Sequence, residues 1–285
     1  MYDVIIIGSG PAGVTAAIYA KRGGLNPLVI YNGFGALGKT EKIENYYGFS
    51  KISGKELFNR GIEQLKNLNI DLVKDEVVQL NYNNNFEVIT VNNSFYSKYV
   101  VLATGTSRKA PVIKGIKEFE GKGISYCAVC DAFFYKNKNV AVLGNGNYAI
   151  HEAEVLKPVT KSVILLTNGE RPVENRDISI NVNEKKIREV RGSENVNEII
   201  FDDGTKEDVS GVFIAIGTAS TSDLARKIGA RIENNNIVVN ENMETTVPNL
   251  YACGDCVGGI LQISKAVYDG MKVGLEIIKK VKNNK

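Results

Sequence analysis

Uninterrupted apolar runs, each followed by a glycine-rich turn, occur twice along the chain. Residues 2–7 (Tyr-Asp-Val-Ile-Ile-Ile) and 139–143 (Asn-Val-Ala-Val-Leu) lack the alternation of a half-exposed strand, which is typical of strands buried on both faces of a parallel sheet. Each turn leads into an apolar segment that predicts a helix. A further strand is predicted after each helix, at residues 28–30 and 162–167. The pattern therefore predicts two similar strand–turn–helix–strand modules in tandem.

Both turns have the spacing of a dinucleotide-binding fingerprint. The first is residues 8–13 (Gly-Ser-Gly-Pro-Ala-Gly) and the second is residues 144–149 (Gly-Asn-Gly-Asn-Tyr-Ala). In the first turn Gly8 allows a tight bend, Gly10 lets the backbone approach a pyrophosphate, and Gly13 lets helix and strand pack closely. The helix that follows presents free N–H groups and a partial positive charge. We expect the first turn to bind the pyrophosphate of a dinucleotide.

Shorter elements complete each module. Residues 71–102 alternate short β-like runs with Asn-rich turns, which predicts a β-meander. Asp202-Asp203-Gly204 predicts a hairpin turn. The apolar run 212–216 closes the second module, and a helix is predicted from about Gln262. The portion after residue 241 is too short to fold alone, so we expect it to return to the first module.

Composition and charge exclude several kinds of partner. The net charge is +3, with both signs interspersed among 24% charged residues, which does not favour nucleic acid. The lysines at the C-terminus suit the negative end of a helix dipole. No apolar run reaches the roughly 18 residues of a membrane span, and the N-terminus lacks the basic start of a signal peptide. We expect a soluble, cytoplasmic protein without a membrane partner.

The four cysteines lie in two pairs of CxxC spacing, Cys127/Cys130 and Cys253/Cys256. In a reducing compartment this spacing indicates metal binding or redox chemistry rather than a structural disulfide. Four thiolates can hold zinc or an iron–sulfur cluster, but zinc ribbons separate their pairs by about 15–20 residues, far less than here. No metal site is predicted. His151 is the only histidine, so a histidine triad is excluded and we expect it to pack or to lie on a helix surface.

Several motifs, in one order, resemble the low-molecular-weight flavoprotein thioredoxin reductases. Besides the first glycine turn they are residues 44–49 (Glu-Asn-Tyr-Tyr-Gly-Phe), 103–105 (Ala-Thr-Gly), 124–131 (Ile-Ser-Tyr-Cys-Ala-Val-Cys-Asp) and 243–248 (Met-Glu-Thr-Thr-Val-Pro), leading into Cys253-Gly254-Asp255. The resemblance covers nearly the whole chain. It implies an α/β fold with two Rossmann-like, three-layer (ββα) domains, the FAD domain being discontinuous. We place the FAD-binding domain at residues 1–113 and 242–285, and a middle domain carrying the CxxC at 114–241.

The resemblance implies FAD as the cofactor and indicates its contacts. A helix beginning near Gln262 would aim its positive end at the flavin pyrimidine, where negative charge collects on reduction. The predicted cofactor-binding residues are Gly8, Ser9, Gly10, Pro11, Ala12, Gly13, Thr40, Asn45, Ala103, Thr104, Gly105, Gly254, Asp255 and Gln262.

The resemblance also assigns roles to three catalytic residues. Cys130, nearer the flavin, takes electrons; Cys127 attacks the disulfide of the partner, thioredoxin, and Cys130 resolves the mixed disulfide. A CxxC at a helix start suits this role because it can hold one thiolate at a lowered pKa. Asp131 is expected to protonate a leaving thiolate; the alternative is a carboxylate stabilised by the helix dipole. Cys253 and Cys256 are interpreted as small buried side chains beside the flavin.

The second module departs from the NADPH-dependent members of the family. Those members carry an H-R-R-x-x-x-R pattern whose arginines grip the 2′-phosphate. Here Thr167, Asn168, Gly169 and Val173 occupy the four positions, and Arg171 is out of register.

The second glycine turn is altered as well. It differs from the residues usual in the family at Asn145, Asn147 and Tyr148. Tyr148 is bulky enough to fill the space that a pyrophosphate needs. No acidic residue stands at the end of the following strand, where it would bind a ribose hydroxyl, although Glu170 lies nearby. These features are similar to the ferredoxin-dependent flavin thioredoxin reductases. The similarity implies that reduced ferredoxin delivers electrons singly to FAD, and that a pair then passes to the CxxC and to thioredoxin.

The first module departs from the family pattern in smaller ways. Tyr31 stands where an acid commonly binds the adenosine ribose, residues 35–40 replace a G-G-Q segment, and Leu261 replaces an arginine. Lys39 and Lys42 are a hypothetical docking surface for an acidic ferredoxin, ordinary solvated lysines being the alternative.

Three alternatives to this interpretation stay open. One is an NADPH-dependent thioredoxin reductase with an unusual cofactor site. Another is a flavin reductase for a glutaredoxin-like or peroxidase-linked partner. The last is a non-catalytic protein that binds metal or nucleotide. A homodimer is expected from the resemblance.

Overall fold

The computed structural model describes residues 1–105, 111–173 and 179–283. Its strands, in chain order, are β1 Tyr2–Ile7, β2 Pro27–Tyr31, β3 Asp71–Lys74, β4 Val77–Asn83, β5 Asn85–Thr90, β6 Ser94–Leu102, β7 Ile124–Ser125, β8 Asn139–Leu143, β9 Ser162–Leu166, β10 Asn181–Asn183, β11 Ile187–Gly192, β12 Val196–Phe201, β13 Lys206–Asp208, β14 Gly211–Ile214, β15 Ile232–Glu233, β16 Asn236–Ile237 and β17 Leu250–Ala252. Its α-helices are α1 Pro11–Arg22, α2 Gly54–Asn67, α3 Ala128–Asp131, α4 Asn147–Leu156, α5 Thr221–Lys227 and α6 Ile263–Asn283.

Two compact units are present, one formed by Met1–Ser107 with Ser220–Lys285 and the other by Arg108–Ala219. The first unit is discontinuous, as the fold class predicted. The segment that begins at Ser220 packs on the first unit: α5 lies against β4, and Lys227 Nζ donates to the carbonyl of Val78. The functional boundaries at 113/114 and 241/242 stay a prediction.

The first unit has a sheet of seven strands among its described residues. Its order is β3-β2-β1-β6-β5-β4, and β17 pairs with the C-terminal half of β6. Strands β1, β6 and β17 run parallel. Their carboxyl ends therefore meet at one edge of the sheet, where ligands of open α/β sheets bind. The three segments that follow these strands are the first glycine turn, the Ala-Thr-Gly motif and the Cys-Gly-Asp motif.

Helices α1 and α6 cover this sheet and approach each other closely. A Cβ on Gly270 would lie 2.1 Å from the carbonyl oxygen of Ala12, and one on Gly274 would lie 2.6 Å from Cβ of Tyr19. The absence of these side chains lets Val273 and Ile277 become fully buried. Burial of each such side chain stabilises the fold by roughly 1.5–3 kcal/mol. Helix α6 is thereby held against α1, the helix that follows the first glycine turn.

The second unit repeats the strand–turn–helix–strand module and adds an antiparallel sheet to it. Its parallel strands have the order β10-β9-β8-β14-β7, and β11-β12-β13 form a separate antiparallel sheet. Side chains of both sheets share one apolar core, for example Leu143, Val212, Ile199 and Phe201. The hairpin turn predicted at residues 202–204 lies between β12 and β13.

One strand differs from the prediction. Residues 71–74 are not the first strand of a meander, because β3 pairs parallel with β2. Helix α2 provides the crossover that a parallel pair requires. The antiparallel meander is confined to β4, β5 and β6. None of the helices in the described ranges is long and apolar enough to cross a membrane.

Candidate active site

The first glycine turn has the shape that its sequence predicts. Gly8 has a φ of +111°, and a Cβ there would lie 2.4 Å from the carbonyl oxygen of Ala103. A Cβ on Gly13 would lie 1.9 Å from the carbonyl oxygen of Gly8. At Gly10 a Cβ would meet nothing within 4 Å. Two glycines are thus required by the fold itself, while Gly10 faces open space, as a phosphate-approaching position should.

The same turn offers hydrogen-bond groups that the fold leaves without partners. Gly10 caps α1 without a side-chain hydrogen bond, and Pro11 begins the helix. Ser9 Oγ is buried and has no hydrogen-bond partner in the described part of the chain. Buried polar atoms are nearly always satisfied, so an unsatisfied hydroxyl at a helix N-terminus fits a bound phosphate. The residues of the turn therefore fit the pyrophosphate of a dinucleotide.

Two predicted flavin contacts from distant parts of the sequence touch each other. Asn45 Nδ2 donates to Gln262 Oε1 at 3.0 Å, and both side chains are exposed. Gln262 directly precedes α6, so the pair lies at the positive end of that helix. Thr40 is exposed, and its carbonyl accepts from Gly54 N at 2.8 Å. The hydroxyls of Thr104 and Thr221 hydrogen-bond one another beside Gly105.

The Cys-Gly-Asp segment is held by a partly buried ion pair that the sequence reasoning missed. Lys265 Nζ lies 2.8 Å from Asp269 Oδ2 and donates to the carbonyls of Gly254 and Gly258. Asp269 in turn accepts from Gly254 N at 3.1 Å. Burial raises the pKa of Asp255, while Lys265 opposes that shift. A lysine and an acid one helical turn apart were the signal that could have revealed this clamp.

Cys127 and Cys130 are joined by a disulfide at the start of α3. Cys127 is the N-cap of the helix, and its Sγ accepts from Cys130 N at 3.2 Å. Cys127 is 2% exposed, whereas Cys130 is exposed. A disulfide pair at a helix start is therefore present, and Cys130 is its exposed residue.

A buried serine connects this pair to the predicted acid. Ser125 Oγ donates to Asp131 Oδ2 at 2.6 Å and accepts from Cys127 N at 3.1 Å. Asp131 also lies near Tyr135, whose pKa is raised by burial and, to a smaller extent, by the charge of Asp131. The sequence reasoning did not single out Ser125, although it lies two residues before the first cysteine. The carboxyl group of Asp131 is thus held beside the disulfide.

A second buried group reaches the same helix from α4. Glu152 is 1% exposed, and its Oε2 accepts from Ala128 N at 3.0 Å. Sequence reasoning missed Glu152 as well, because burial of a glutamate cannot be read from a helical pattern with polar neighbours. Its neighbour His151 is half-buried on the same helix.

The other two cysteines are reduced and enclosed. Cys253 and Cys256 are 0% and 2% exposed. Burial raises the pKa of Cys256 to about 12 and that of Cys253 well above its ordinary value. Within the described ranges, no three His, Cys, Asp or Glu side chains are arranged to hold a metal ion.

The second glycine turn is hydrogen-bonded to the loop that follows β9. Asn145 Nδ2 donates to Glu170 Oε2 at 2.6 Å, and Val173 N donates to the carbonyl of Asn145 at 3.0 Å. Tyr148 is buried rather than exposed at the turn. The loop at residues 170–173 is thereby tied to the second turn through the side chain and carbonyl of Asn145.

The residues that replace the arginine pattern are parts of a tight loop. Asn168 has a φ of +54°, and its Oδ1 accepts from Ile187 N at 2.8 Å. Gly169 has a φ of +88°, and its N–H donates to the carbonyl of Glu184. Thr167 is buried. These positions serve the loop's own folding.

Comparison with known proteins decides the family. A model for pyridine nucleotide-disulphide oxidoreductases matches residues 2–270. A thioredoxin reductase of Aquifex aeolicus is 37% identical over 301 residues, covering 98% of this chain and 93% of the relative. The chain belongs to the thioredoxin reductases of that family.

Solved structures agree with this membership. The crystal structure of the atypical thioredoxin reductase TRi from Desulfovibrio vulgaris Hildenborough is 34% identical with a TM-score of 0.94, and 99% of each chain is covered. A ferredoxin-flavin thioredoxin reductase from Clostridium acetobutylicum is 29% identical with a TM-score of 0.76, covering 99% of this chain and 98% of that one. The family resemblance deduced from the motifs is confirmed. Thioredoxin reductases of this family are FAD flavoproteins, so the prediction of FAD is confirmed too.

Proposed function

We propose that this thioredoxin reductase takes electrons from reduced ferredoxin and passes them, through FAD and the Cys127–Cys130 pair, to the disulfide of thioredoxin. The relatives named thioredoxin reductase support the thioredoxin half of the proposal. A ferredoxin-flavin enzyme among the similar structures supports the ferredoxin half.

The loop bonded to the second glycine turn is the observation that carries the choice of donor. A pyridine nucleotide needs the backbone of such a turn to be open to its pyrophosphate. Here the side chain and carbonyl of Asn145 are bonded to Glu170 and Val173. Binding of NADPH would also require a cation for its 2′-phosphate, and Asn168 and Gly169 supply none. The alternative of NADPH dependence is therefore the less favoured one.

The cofactor-binding residues proposed from the sequence would hold FAD at the carboxyl edge of the first sheet. The N–H groups at the start of α1 would bind its pyrophosphate, and the start of α6 would face its flavin. When bound, FAD supplies the electron pair that the disulfide accepts.

The chain's own residues then carry out the disulfide exchange. Cys127 attacks the thioredoxin disulfide, forming a mixed disulfide and releasing one thioredoxin sulfur. Cys130 attacks Cys127 Sγ, which restores the Cys127–Cys130 bond and releases the second sulfur. Asp131, held by Ser125, lies where it can donate a proton to a departing thiolate. Because Cys127 is 2% exposed, thioredoxin must gain access to it before the attack.

The surface proposed to dock ferredoxin, Lys39 and Lys42, carries less free positive charge than the sequence suggests. Lys42 Nζ forms an ion pair of 2.8 Å with Glu44, which offsets its charge. Lys39 is the cation that we retain in the proposed docking surface. The homodimer and the cytoplasmic location stay predictions, to be tested by sedimentation and by cell fractionation.

The donor is tested by anaerobic bleaching of the flavin absorbance. The purified protein is mixed separately with NADPH, NADH and enzymatically reduced ferredoxin, with an NADPH-dependent thioredoxin reductase as the control. We expect ferredoxin alone to bleach this flavin and NADPH to bleach only the control. Rapid bleaching by NADPH would overturn the choice of donor and leave the thioredoxin half intact.

The disulfide exchange is tested by Cys127→Ser and Cys130→Ser. Each variant should lose thioredoxin turnover while FAD stays bound, with Cys256→Ser as the control that keeps turnover. Turnover by either of the first two variants would contradict the mechanism.

A further inference from the structure

Glu152 places a buried carboxylate at the N-terminus of the redox helix. Its Oε2 accepts from Ala128 N at 3.0 Å, and the side chain is 1% exposed. Ala128 lies between the two cysteines, directly after the N-cap Cys127. Helix α4, which carries Glu152, packs against α3. The N–H that a helix start would otherwise direct at a nearby anion is thus taken by a carboxylate from another helix.

Two opposite electrostatic influences therefore meet at Cys127. The N–H of Cys130 faces its Sγ at 3.2 Å, and this contact favours a thiolate. The carboxylate of Glu152, which accepts from Ala128 N in the first turn of α3, disfavours a second negative charge nearby. Between buried or partly buried charges this repulsion is little screened by salt.

We infer that Glu152 keeps the reduced Cys127–Cys130 pair in its thiol form and thereby keeps the pair strongly reducing. Glu152 is a positioning residue in this inference, since it touches the backbone beside the cysteines and not the partner disulfide. The inference rests on the proposed exchange at Cys127–Cys130, and it is independent of the electron donor.

The chemistry of a reductase explains why this matters. Reduction breaks the S–S bond and takes up two electrons, which the flavin supplies in the proposed function. Two protons are taken up as well when both sulfurs end as thiols, and one proton when one sulfur ends as a thiolate. A stabilised thiolate makes a dithiol a poorer reductant, as in dithiol oxidants whose reduced form is unusually stable. An enzyme that must donate electrons to thioredoxin gains from preventing this stabilisation.

The elements packed against α3 carry Tyr148, His151, Glu152 and Glu154 on α4, and Tyr135 in the 3-10 helix Ala132–Tyr135 that follows α3. Asp131 lies on α3 itself. Of the groups on α4, Glu152 is the one seen bonded to the backbone of α3, while Glu154 is exposed. Glu154 therefore provides a matched control of the same charge on the same helix.

The experiment measures alkylation of Cys127 in the reduced, FAD-containing protein between pH 6 and pH 10. Peptide mass spectrometry after timed exposure to iodoacetamide gives the rate at Cys127 separately from the other cysteines. Glu152→Gln keeps the size of the side chain and an oxygen acceptor for Ala128 N but removes the charge. We expect this variant to react about tenfold faster than the wild type at pH 7, which corresponds to a thiol pKa lower by about one unit. Glu154→Gln should react at the wild-type rate.

Each outcome decides the inference. Equal rates in the wild type and Glu152→Gln would show that Glu152 is only structural and would overturn it. An equal acceleration in Glu154→Gln would point to general charge rather than to this carboxylate, and would also overturn it. If Glu152→Gln does not fold, the wild-type profile decides: an apparent pKa near the ordinary value of about 8.5 supports the inference, and one near 7 contradicts it. No donor or thioredoxin is used, so failure of the proposed function would not alter these rates.

Discussion

Asn45 donates a hydrogen bond of 3.0 Å to Gln262, a residue 217 positions further along the chain. The bond joins the 44–49 motif to the start of α6. Both residues were predicted to contact the flavin, and the fold brings them together at the positive end of a helix. The contact exists because β17 pairs with β6 and thereby returns the C-terminal portion to the first sheet.

Removal of this bond should weaken FAD binding. Gln262→Ala loses one hydrogen bond, which is worth about 0.5–1.5 kcal/mol, so we expect the Kd for FAD to rise roughly threefold to tenfold. Recovery of flavin fluorescence on release of FAD gives the Kd. Gln64→Ala, which changes an exposed glutamine on α2, should leave it unchanged.

The same prediction has an internal check. If the bond between the two side chains is the relevant interaction, the double variant Asn45→Ala with Gln262→Ala should lose little more than either single variant. Fully additive losses would mean that each residue acts separately.

The two pairs of cysteines should differ in reactivity. Burial raises the pKa of Cys256 to about 12 and that of Cys253 well above its usual value, so both stay as thiols at pH 8. After reduction we expect iodoacetamide to modify the exposed Cys130 fastest, to modify Cys127 more slowly because it is 2% exposed, and to modify Cys253 and Cys256 only in guanidinium chloride. Modification of Cys253 in the folded protein as fast as that of Cys127 would contradict the raised pKa of the second pair. Intact-mass spectrometry counts the modified thiols.

Much of the fold was predictable because it follows local rules. The apolar run before Gly8 is a strand whose last four residues are buried, and Gly8 and Gly13 occupy positions where a Cβ would collide with the backbone. The crossover helix α2 was missed, although Ser53, Glu56 and the apolar spacing of Phe58, Ile62 and Leu65 were visible signals. Without that helix, the sequence pattern places residues 71–74 in the meander instead of at the parallel edge of the sheet.

Contacts between distant side chains were beyond prediction from sequence. Glu152 looks like any polar helix residue, and only the packing of α4 on α3 buries it beside Ala128. Asn145 is visible in the sequence as an unusual residue, but its bond to Glu170 depends on the path of a loop. The sequence therefore indicated which segments carry chemistry, whereas packing determines which partners their polar groups find.

Ser125 should support catalysis through Asp131. Asp131→Asn removes the proposed proton donor, and we expect thioredoxin-dependent kcat to fall by at least about a hundredfold. Ser125→Ala removes the hydroxyl that holds Asp131 and should lower kcat by a smaller factor, roughly tenfold, with an unchanged KM for thioredoxin. Steady-state assays over a range of thioredoxin concentrations separate the two constants.

The controls for this prediction are matched. Ser193→Ala changes an exposed serine of the same unit and should have no effect. Because Ser125 acts through Asp131, the double variant should be no slower than Asp131→Asn alone. A rise in KM without a change in kcat would instead assign Ser125 to thioredoxin binding.

Glu189 should make the stability of the second unit depend on pH. Its nearly buried carboxylate lies 2.8 Å from Lys114 Nζ and 2.6 Å from an Arg191 nitrogen. The hydrogen bond from Lys114, and next that from Arg191, lowers the pKa of Glu189. A carboxyl group with a lowered pKa in the folded state contributes stability above its ordinary pKa of about 4.3, and this contribution is lost as pH falls through the folded value. Glu189→Gln should therefore unfold at lower urea concentration than the wild type at pH 7, and the difference should shrink steadily below about pH 4.

Glu194→Gln, an exposed neighbour on the same hairpin, should match the wild type throughout. A difference that stays constant down to pH 3 would mean that Glu189 acts through packing and not through its charge.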